Sequence, residues 1–170
     1  VRTVNVVDTT KPAIAITGAS PLTHECATAF TDPGATASDT CAGSLTAGLT
    51  AVSTVNPNAV GSYTITYSVA DPSGNQQTAV RTVNVVDTTK PAITLPATND
   101  TDATGPYVKL IAAATGCQAT FSAMATASDT CDAAPSMASS IPLPASLPIG
   151  TTLITYTSVD ASGNTSSATL

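Results

Sequence analysis

The chain contains an internal repeat: residues 1–14 read VRTVNVVDTTKPAI, and residues 80–93 repeat all fourteen letters. Repetition at a fixed spacing is the sequence signature of tandem structural units, so it constrains the architecture more than any other feature. A looser copy follows, because ATASDTC occurs twice, ending at Cys41 and at Cys131. The 170 residues are therefore predicted to hold two related modules, each of the size of a small domain.

The repeat also predicts where each module begins and ends. Aligning the two modules on their shared SGN letters places Val80 opposite Thr169, so the second module is expected to lack a closing strand like that of the first. The predicted segments are residues 1–7 as the closing strand of a preceding module, residues 8–87 as module one, and residues 88–170 as module two.

Composition argues against two classes of partner. Charged residues make up 9% of the chain and the formal net charge is −6, whereas nucleic-acid binding needs clusters of Lys and Arg. The apolar runs are shorter than the roughly 18 residues that span a bilayer. We therefore expect neither nucleic-acid binding nor membrane insertion, and the weakly charged, Thr- and Ser-rich surface is typical of extracellular and cell-surface β-proteins.

The periodicity of the chain is that of strands. Apolar and polar residues alternate along 63–70 and along 77–86, which predicts two half-buried strands. DPSGN (71–75) lies between them, and Gly74 can adopt the positive φ of a tight turn. Short strands separated by turn signals predict an all-β fold of tandem immunoglobulin-like β-sandwiches, with one closing strand displaced to the N-terminus.

The four cysteines fall as one pair in each module. The predicted disulfides are Cys26–Cys41 and Cys117–Cys131, and closing a loop of about 15 residues contributes roughly 3 kcal/mol. A reduced or metal-binding pair is the alternative. Neither pair has CxxC spacing and the sequence has a single histidine, His24, which argues against a zinc site.

Aspartates occur at turns and junctions, and two interpretations stay open for them. The first is a calcium site at the module junctions, because Ca²⁺ binds about six to eight oxygens; the candidates are Asp8, Asp71, Asp87 and Asp160. The second is that Asp caps turns through its side chain, which fits the lack of an EF-hand-like loop. No other cofactor is expected.

Catalysis has little support in the sequence. His24 precedes Glu25 and Cys26 on an expected strand, where neighbouring side chains point to opposite faces. A bridged Cys26 offers no free thiol as a nucleophile. We therefore expect a protein that is not an enzyme.

Two family resemblances rest on specific segments. Module one, with AITGASPLTHECATAFTDPGATASDTC and VGSYTITYSVADPSGN, resembles bacterial Ig-like surface repeats over residues 8–87. Module two, with ATASDTC and LPIGTTLITYTSVDASGN, resembles the hyalin repeat (HYR) domain over residues 88–170. The resemblance implies an immunoglobulin-like fold, an extracellular location, tandem arrays, and roles in adhesion or surface structures without catalytic residues.

The expected function is that of a structural or adhesive repeat joined head to tail with copies of itself. Val4, Val6, Val83 and Val85 are the candidate inter-module strand residues, and host or matrix surface ligands are candidate partners. The strand 1–7 either completes the module of a separate chain, as in donor-strand complementation, or belongs to one long covalent array. The identical DTTKP linkers favour the covalent array.

A carbohydrate-binding accessory module of a secreted protein is the alternative function. Such sites use exposed aromatic platforms, and the tyrosines available are Tyr63, Tyr67, Tyr107 and Tyr156. A structural role is favoured because three of the four fall in predicted strands.

Overall fold

The computed structural model describes residues 1–96 and 116–170, so Tyr107 lies outside the described residues. The chain forms two compact units, residues 1–87 and residues 88–170. Both are built from strands, and the helical structure of the described residues is one 3₁₀ turn at Thr46–Gly48. The all-β, immunoglobulin-like fold class is therefore confirmed.

The first unit consists of a three-stranded and a four-stranded sheet. The smaller sheet is antiparallel in the order β1-β3-β4, and the larger has the order β2-β7-β6-β5 with β2 parallel to β7. The strands are β1 (Ala13–Ile16), β2 (Leu22–Glu25), β3 (Ala35–Asp39), β4 (Gly43–Ser44), β5 (Thr50–Ser53), β6 (Gly61–Ala70) and β7 (Gln76–Val86).

The hairpin of β6 and β7 carries the core of this unit. Ile65, Tyr67 and Val69 of β6 are buried, as are Val83 and Val85 of β7. The residues between them point to the other face and are half-exposed, since side chains alternate along a strand. The hairpin and its alternation agree with the sequence prediction.

Arg81 is a fully buried cation in the same strand. Its Nη1 donates to the Ala19 carbonyl at 2.6 Å, and its Nη2 donates to the carbonyls of Thr17 at 2.6 Å and Gly34 at 2.9 Å. Its Nε lies 3.2 Å from Oδ1 of Asp32. A buried charge is tolerated when it is paired and hydrogen-bonded, so Arg81 ties β7 to the loops before β2 and β3.

The second unit repeats part of this plan with shorter strands. Its sheets are β11-β13-β14, β8-β10 and β9-β12, all antiparallel. The strands are β8 (Ala92–Thr94), β9 (Gln118–Phe121), β10 (Thr126–Ser128), β11 (Ser136–Ser139), β12 (Ala145–Pro148), β13 (Thr155–Val159) and β14 (Thr165–Thr169). Phe121, Ala125, Ile154 and Tyr156 form its buried core.

The predicted disulfide pairs Cys26–Cys41 and Cys117–Cys131 are wrong. Cys41 and Cys117 are exposed free thiols, whereas Cys26 and Cys131 are disulfide-bonded. Cys26 is buried at the end of β2 in the four-stranded sheet, where its N–H donates to the Val86 carbonyl at 2.7 Å. Cys41 follows β3 of the other sheet, so the short spacing in sequence does not bring the two thiols into one pair.

Candidate functional site

One peptide sequence occupies two different environments in this chain. VRTVNVV at 80–86 lies within β7, where Val83 is 0% and Val85 is 1% exposed. The same letters at 1–7 form no strand, and the corresponding Val4 and Val6 are 83% and 93% exposed. Identical residues thus form a buried strand at one place and an exposed apolar segment at the other.

The buried copy shows which neighbours this sequence fits. Val83 pairs with Tyr63 of β6 on one side and with Leu22 of β2 on the other, so the strand is hydrogen-bonded along both edges. In the second unit β14 reaches only Thr169, the position that corresponds to Val80. Within the described residues, β14 pairs with β13 alone.

A second feature is a group of side-chain atoms of the kinds that can bind a metal ion, at the N-terminal end of the first module. Asp8, Asp39 and Cys41 each place one ligand atom within 4.8 Å of the others. Asp8 comes from the DTTKP linker, and its Oδ1 accepts the Thr10 N–H at 2.9 Å. Asp39 ends β3, and its Oδ1 accepts the N–H groups of Cys41 at 2.8 Å and Ala42 at 2.9 Å.

Asp39 has one oxygen that the fold leaves unsatisfied. Its side chain is 8% exposed, and Oδ2 is buried without a hydrogen-bond partner. Buried polar atoms are nearly always paired in native proteins, so each exception needs an explanation. In the described part of the chain the other such atom is Oδ2 of Asp129, the residue that corresponds to Asp39 in the second ATASDTC segment.

The turn between β6 and β7 brings a third carboxylate toward this group. The two oxygens of Asp71 accept the backbone N–H of Asn75 at 2.9 Å and its Nδ2 at 2.7 Å. Asn75 Nδ2 also lies 3.1 Å from the Asp8 carbonyl, which it binds. Burial opposes ionisation of Asp71, but the hydrogen bonds from Asn75, Ser73 and Gly74 hold its pKa below the ordinary value, so it is an anion at neutral pH.

The negative charges of these carboxylates also affect the pKa of the Cys41 thiol. Its pKa is raised, first by the negative charge of Asp8, then by burial, and then by Asp39 and Asp71. Three carboxylates therefore act on one thiol, and they oppose its ionisation.

The second module repeats this local structure. Oδ1 of Asp129 accepts the N–H groups of Cys131 at 2.8 Å and Asp132 at 3.0 Å. Asp160 receives the Asn164 N–H at 2.8 Å and its Nδ2 at 2.9 Å, as Asp71 does from Asn75. Carboxylate oxygens of Asp129 and Asp160 lie within 4.8 Å of each other.

The structure thus groups some of the predicted calcium candidates with residues that the sequence did not single out. Asp8 and Asp71 act on Cys41 together with Asp39, and Asp160 lies beside Asp129. Asp87, the sequence counterpart of Asp8, is buried. The recurrence of SDTC in both modules points to Asp39 and Asp129, but aspartates that only cap turns would give the same sequence pattern.

His24 and the tyrosines make contacts within the fold. His24 Nε2 lies 3.2 Å from Oγ1 of Thr28, and its ring packs edge-on against Phe30 with centroids 5.1 Å apart. Tyr67 and Tyr156 are buried. The half-buried Tyr63 donates its hydroxyl to the Ala59 carbonyl at 2.9 Å.

Family models match both modules in the order that the sequence predicts. The model described as "Bacterial surface protein, Ig-like domain" matches residues 14–85, and the HYR domain model matches residues 86–170, half of the chain. This chain belongs to the HYR domain family. Its HYR domain follows a bacterial surface Ig-like domain, which confirms both resemblances.

Among known proteins, this HYR chain is similar to hyalin from Lytechinus variegatus. The two are 35% identical over 117 residues, which cover 65% of this chain and 20% of hyalin. The HYR chain therefore spans a fifth of the length of that relative. The two family matches and hyalin indicate an extracellular or cell-surface protein.

Two solved structures match the HYR chain over part of their length. A lipoprotein from Bacteroides thetaiotaomicron is 25% identical with a TM-score of 0.41, over 52% of this chain and 46% of that one. A Clostridium perfringens structure containing a CBM51 module in complex with GlcNAc and INT domains is 21% identical with a TM-score of 0.38, over 88% and 30%. No helix in residues 1–96 or 116–170 has the length and apolar character of a membrane span.

Proposed function

We propose that this chain is a structural or adhesive repeat segment of an extracellular surface protein or filament, in which modules join head to tail. The observation that carries the proposal is the contrast between the two copies of VRTVNVV. One copy is a buried central strand, while the other exposes Val4 and Val6. The proposed role is non-catalytic.

In the proposed assembly, residues 1–7 complete the second module of a neighbouring copy. Val4 and Val6 then take the positions that Val83 and Val85 hold in the first module. Burying an exposed valine contributes about 1.5 kcal/mol, and backbone hydrogen bonds along the added strand contribute further affinity. The period of two fixes the register, because a slip of one residue would turn the valines outward.

The direction of the contact makes the assembly open-ended. Since Leu170 corresponds to Arg81 in the alignment on SGN, Thr3 is the residue that continues the strand after Leu170. The start of one copy therefore meets the end of the next, and such a heterologous contact generates a filament unless it closes into a ring. The contact is the same for separate chains and for a covalent array.

The environment of the tyrosines favours this role over carbohydrate binding. Tyr67 and Tyr156 are buried, and Tyr63 is half-buried with its hydroxyl bonded to the backbone. An aromatic platform for a sugar requires an exposed ring face, which these three residues do not provide.

The test is the association state of the 170-residue chain at increasing concentration, measured by light scattering after size exclusion. We expect the wild-type chain to form larger species, and the variant Val4→Asp/Val6→Asp to stay at the monomer mass of 16.8 kDa. The matched control is Thr3→Asp/Asn5→Asp, which adds the same charge on the opposite face of the strand.

Retention of association in the control, together with its loss in the valine variant, supports strand addition. A wild-type chain that stays monomeric at every concentration would overturn the proposal. So would equal association of the valine variant and the wild type.

A further inference from the structure

The oxygens around Asp39 have the arrangement expected of a cation site. Asp8 and Asp39 come from separate segments, the linker and the end of β3, and each places an oxygen within 4.8 Å of the other. Two oxygens bound to one calcium ion lie no more than about 4.6–5.2 Å apart, twice the usual Ca–O distance. The two carboxylate oxygens are therefore close enough to share one ion.

The unsatisfied oxygen of Asp39 is the independent observation that points to a ligand. Oδ1 is used by two backbone N–H groups, while Oδ2 is buried without a partner in a side chain that is 8% exposed. A buried carboxylate oxygen without a donor is costly. A bound cation would satisfy it, and turn capping alone leaves it unexplained because Oδ1 already caps the turn.

Asp71 adds a third negative charge from the β6–β7 turn. Its oxygens accept hydrogen bonds from Asn75, Ser73 and Gly74, which occupy about four lone-pair sites of a carboxylate. It therefore contributes negative charge to the site without a direct bond to the cation. Asn75 also holds the Asp8 carbonyl. The linker and the turn are thus held together on the same side of the module.

We propose that Asp8 and Asp39, beside the negative charge of Asp71, form a Ca²⁺ site that fixes the DTTKP linker to the first module. The proposal concerns contacts within one module, and it does not depend on the head-to-tail association proposed above.

The two modules together favour a hard cation over zinc. Among the described residues, Cys41 is the one sulfur ligand close to the first group. Its counterpart Cys131 is disulfide-bonded and supplies no thiolate. What the two modules share is carboxylates, Asp39 with Asp71 and Asp129 with Asp160, and carboxylate oxygens are ligands that Ca²⁺ prefers.

The test is calorimetric titration of the chelator-treated 170-residue chain with CaCl₂. We expect a dissociation constant of about 10⁻⁴–10⁻³ M, the range of extracellular calcium modules. Asp39→Asn keeps an oxygen for the two backbone N–H groups and should remove binding at the first module. Asp8→Asn, in the linker, should weaken the same site at least tenfold and leaves the strands intact.

Two matched variants make the result specific. Asp132→Asn removes one negative charge from the second module and should leave the first site unchanged. Cys41→Ser should also leave Ca²⁺ binding unchanged. The thermal midpoint, followed by circular dichroism, should rise with CaCl₂ in the wild type and respond less in Asp39→Asn.

Three outcomes would overturn the proposal. The first is a wild-type chain that shows neither binding heat nor a thermal shift with CaCl₂. The second is equal Ca²⁺ binding by the wild type and the two variants Asp39→Asn and Asp8→Asn. The third is binding of ZnCl₂ that Cys41→Ser abolishes, without binding of CaCl₂, since this would identify a thiolate site.

Discussion

At the scale of single residues, the two modules have different side chains at the same position of the closing hairpin. In the first, Arg81 pairs with Ile65 across the hairpin and its guanidinium reaches Asp32, which also accepts the Tyr67 hydroxyl at 2.7 Å. In the second, Leu170 exchanges backbone hydrogen bonds with Ile154, the counterpart of Ile65.

The hydroxyl of Tyr156, which corresponds to Tyr67, donates instead to the Ala123 carbonyl at 2.8 Å. Leu170 therefore takes the place of Arg81, and Leu170 and Ala123 both pack against the apolar core of the second module, where the first module has an ion pair. Replacements of this kind are often neutral or stabilising in proteins.

This comparison predicts the outcome of a double-mutant cycle on the first module. Arg81→Leu should destabilise the chain by about 3–5 kcal/mol, because it leaves three backbone carbonyls without their donor and the Asp32 carboxylate without its positive partner. Adding Asp32→Ala should restore about 1 kcal/mol, since the unpaired carboxylate is gone and the Tyr67 hydroxyl can turn to a carbonyl. Urea denaturation measures both values, and additive effects of the two substitutions would contradict the coupling.

At the scale of secondary-structure elements, the two hairpins share one turn. Asp71 and Asp160 each bind an asparagine four residues on, and Gly74 and Gly163 both have φ of +88°. A side chain is strained at such a φ, so glycine permits the turn. The carboxylates in turn are stabilised as anions by the hydrogen bonds that close the turn.

The turns therefore predict a specific dependence of stability on pH. The pKa of Asp71 and that of Asp160 are lowered from 3.8 by hydrogen bonds that outweigh the opposing effect of burial. A lowered folded-state pKa contributes stability that is present above the unfolded value of 3.8 and is lost as the pH falls through the folded value.

Thermal midpoints between neutral pH and the acid range measure this loss. The midpoint of the wild type should fall steeply below the ordinary carboxyl pKa. Asp71→Asn/Asp160→Asn should start lower and change less over the same range. Parallel curves for the two proteins would show that these carboxylates do not carry the effect.

The sequence predicts local elements better than it predicts long-range partners. The β6–β7 hairpin follows from the alternation and from DPSGN, because both depend on residues close in the chain. The pairing of Cys26 and the unsatisfied oxygen of Asp39 depend on which sheet each segment joins. The sequence predicts only a strand position for Arg81, since the carbonyls that it binds lie 47 or more residues away at Gly34, Thr17 and Ala19.

At the scale of the whole molecule, residues 1–7 carry the same sequence as residues 80–86 of β7, whose Val83 and Val85 are buried. The four exposed valines of the N-terminal segment are apolar surface at one end. Exposed apolar segments of this kind mark interaction sites, and in the proposed head-to-tail association this segment joins the strand that ends at Thr169.

A chain extended by TVNVV after Leu170 should therefore complete its own second module. The second and fourth added residues are valines, and they would be buried as Val83 and Val85 are. Each should stabilise the module by about 1.5 kcal/mol. An attached strand also acts at a high effective concentration, so it should displace residues 1–7 of a neighbour and suppress association.

The matched control adds TDNDV, whose aspartates cannot enter the core. Light scattering and the thermal midpoint decide the matter: the TVNVV chain should be monomeric with a higher midpoint, and the TDNDV chain should behave like the wild type. Undiminished association of the TVNVV chain would mean that the N-terminal valines dock elsewhere.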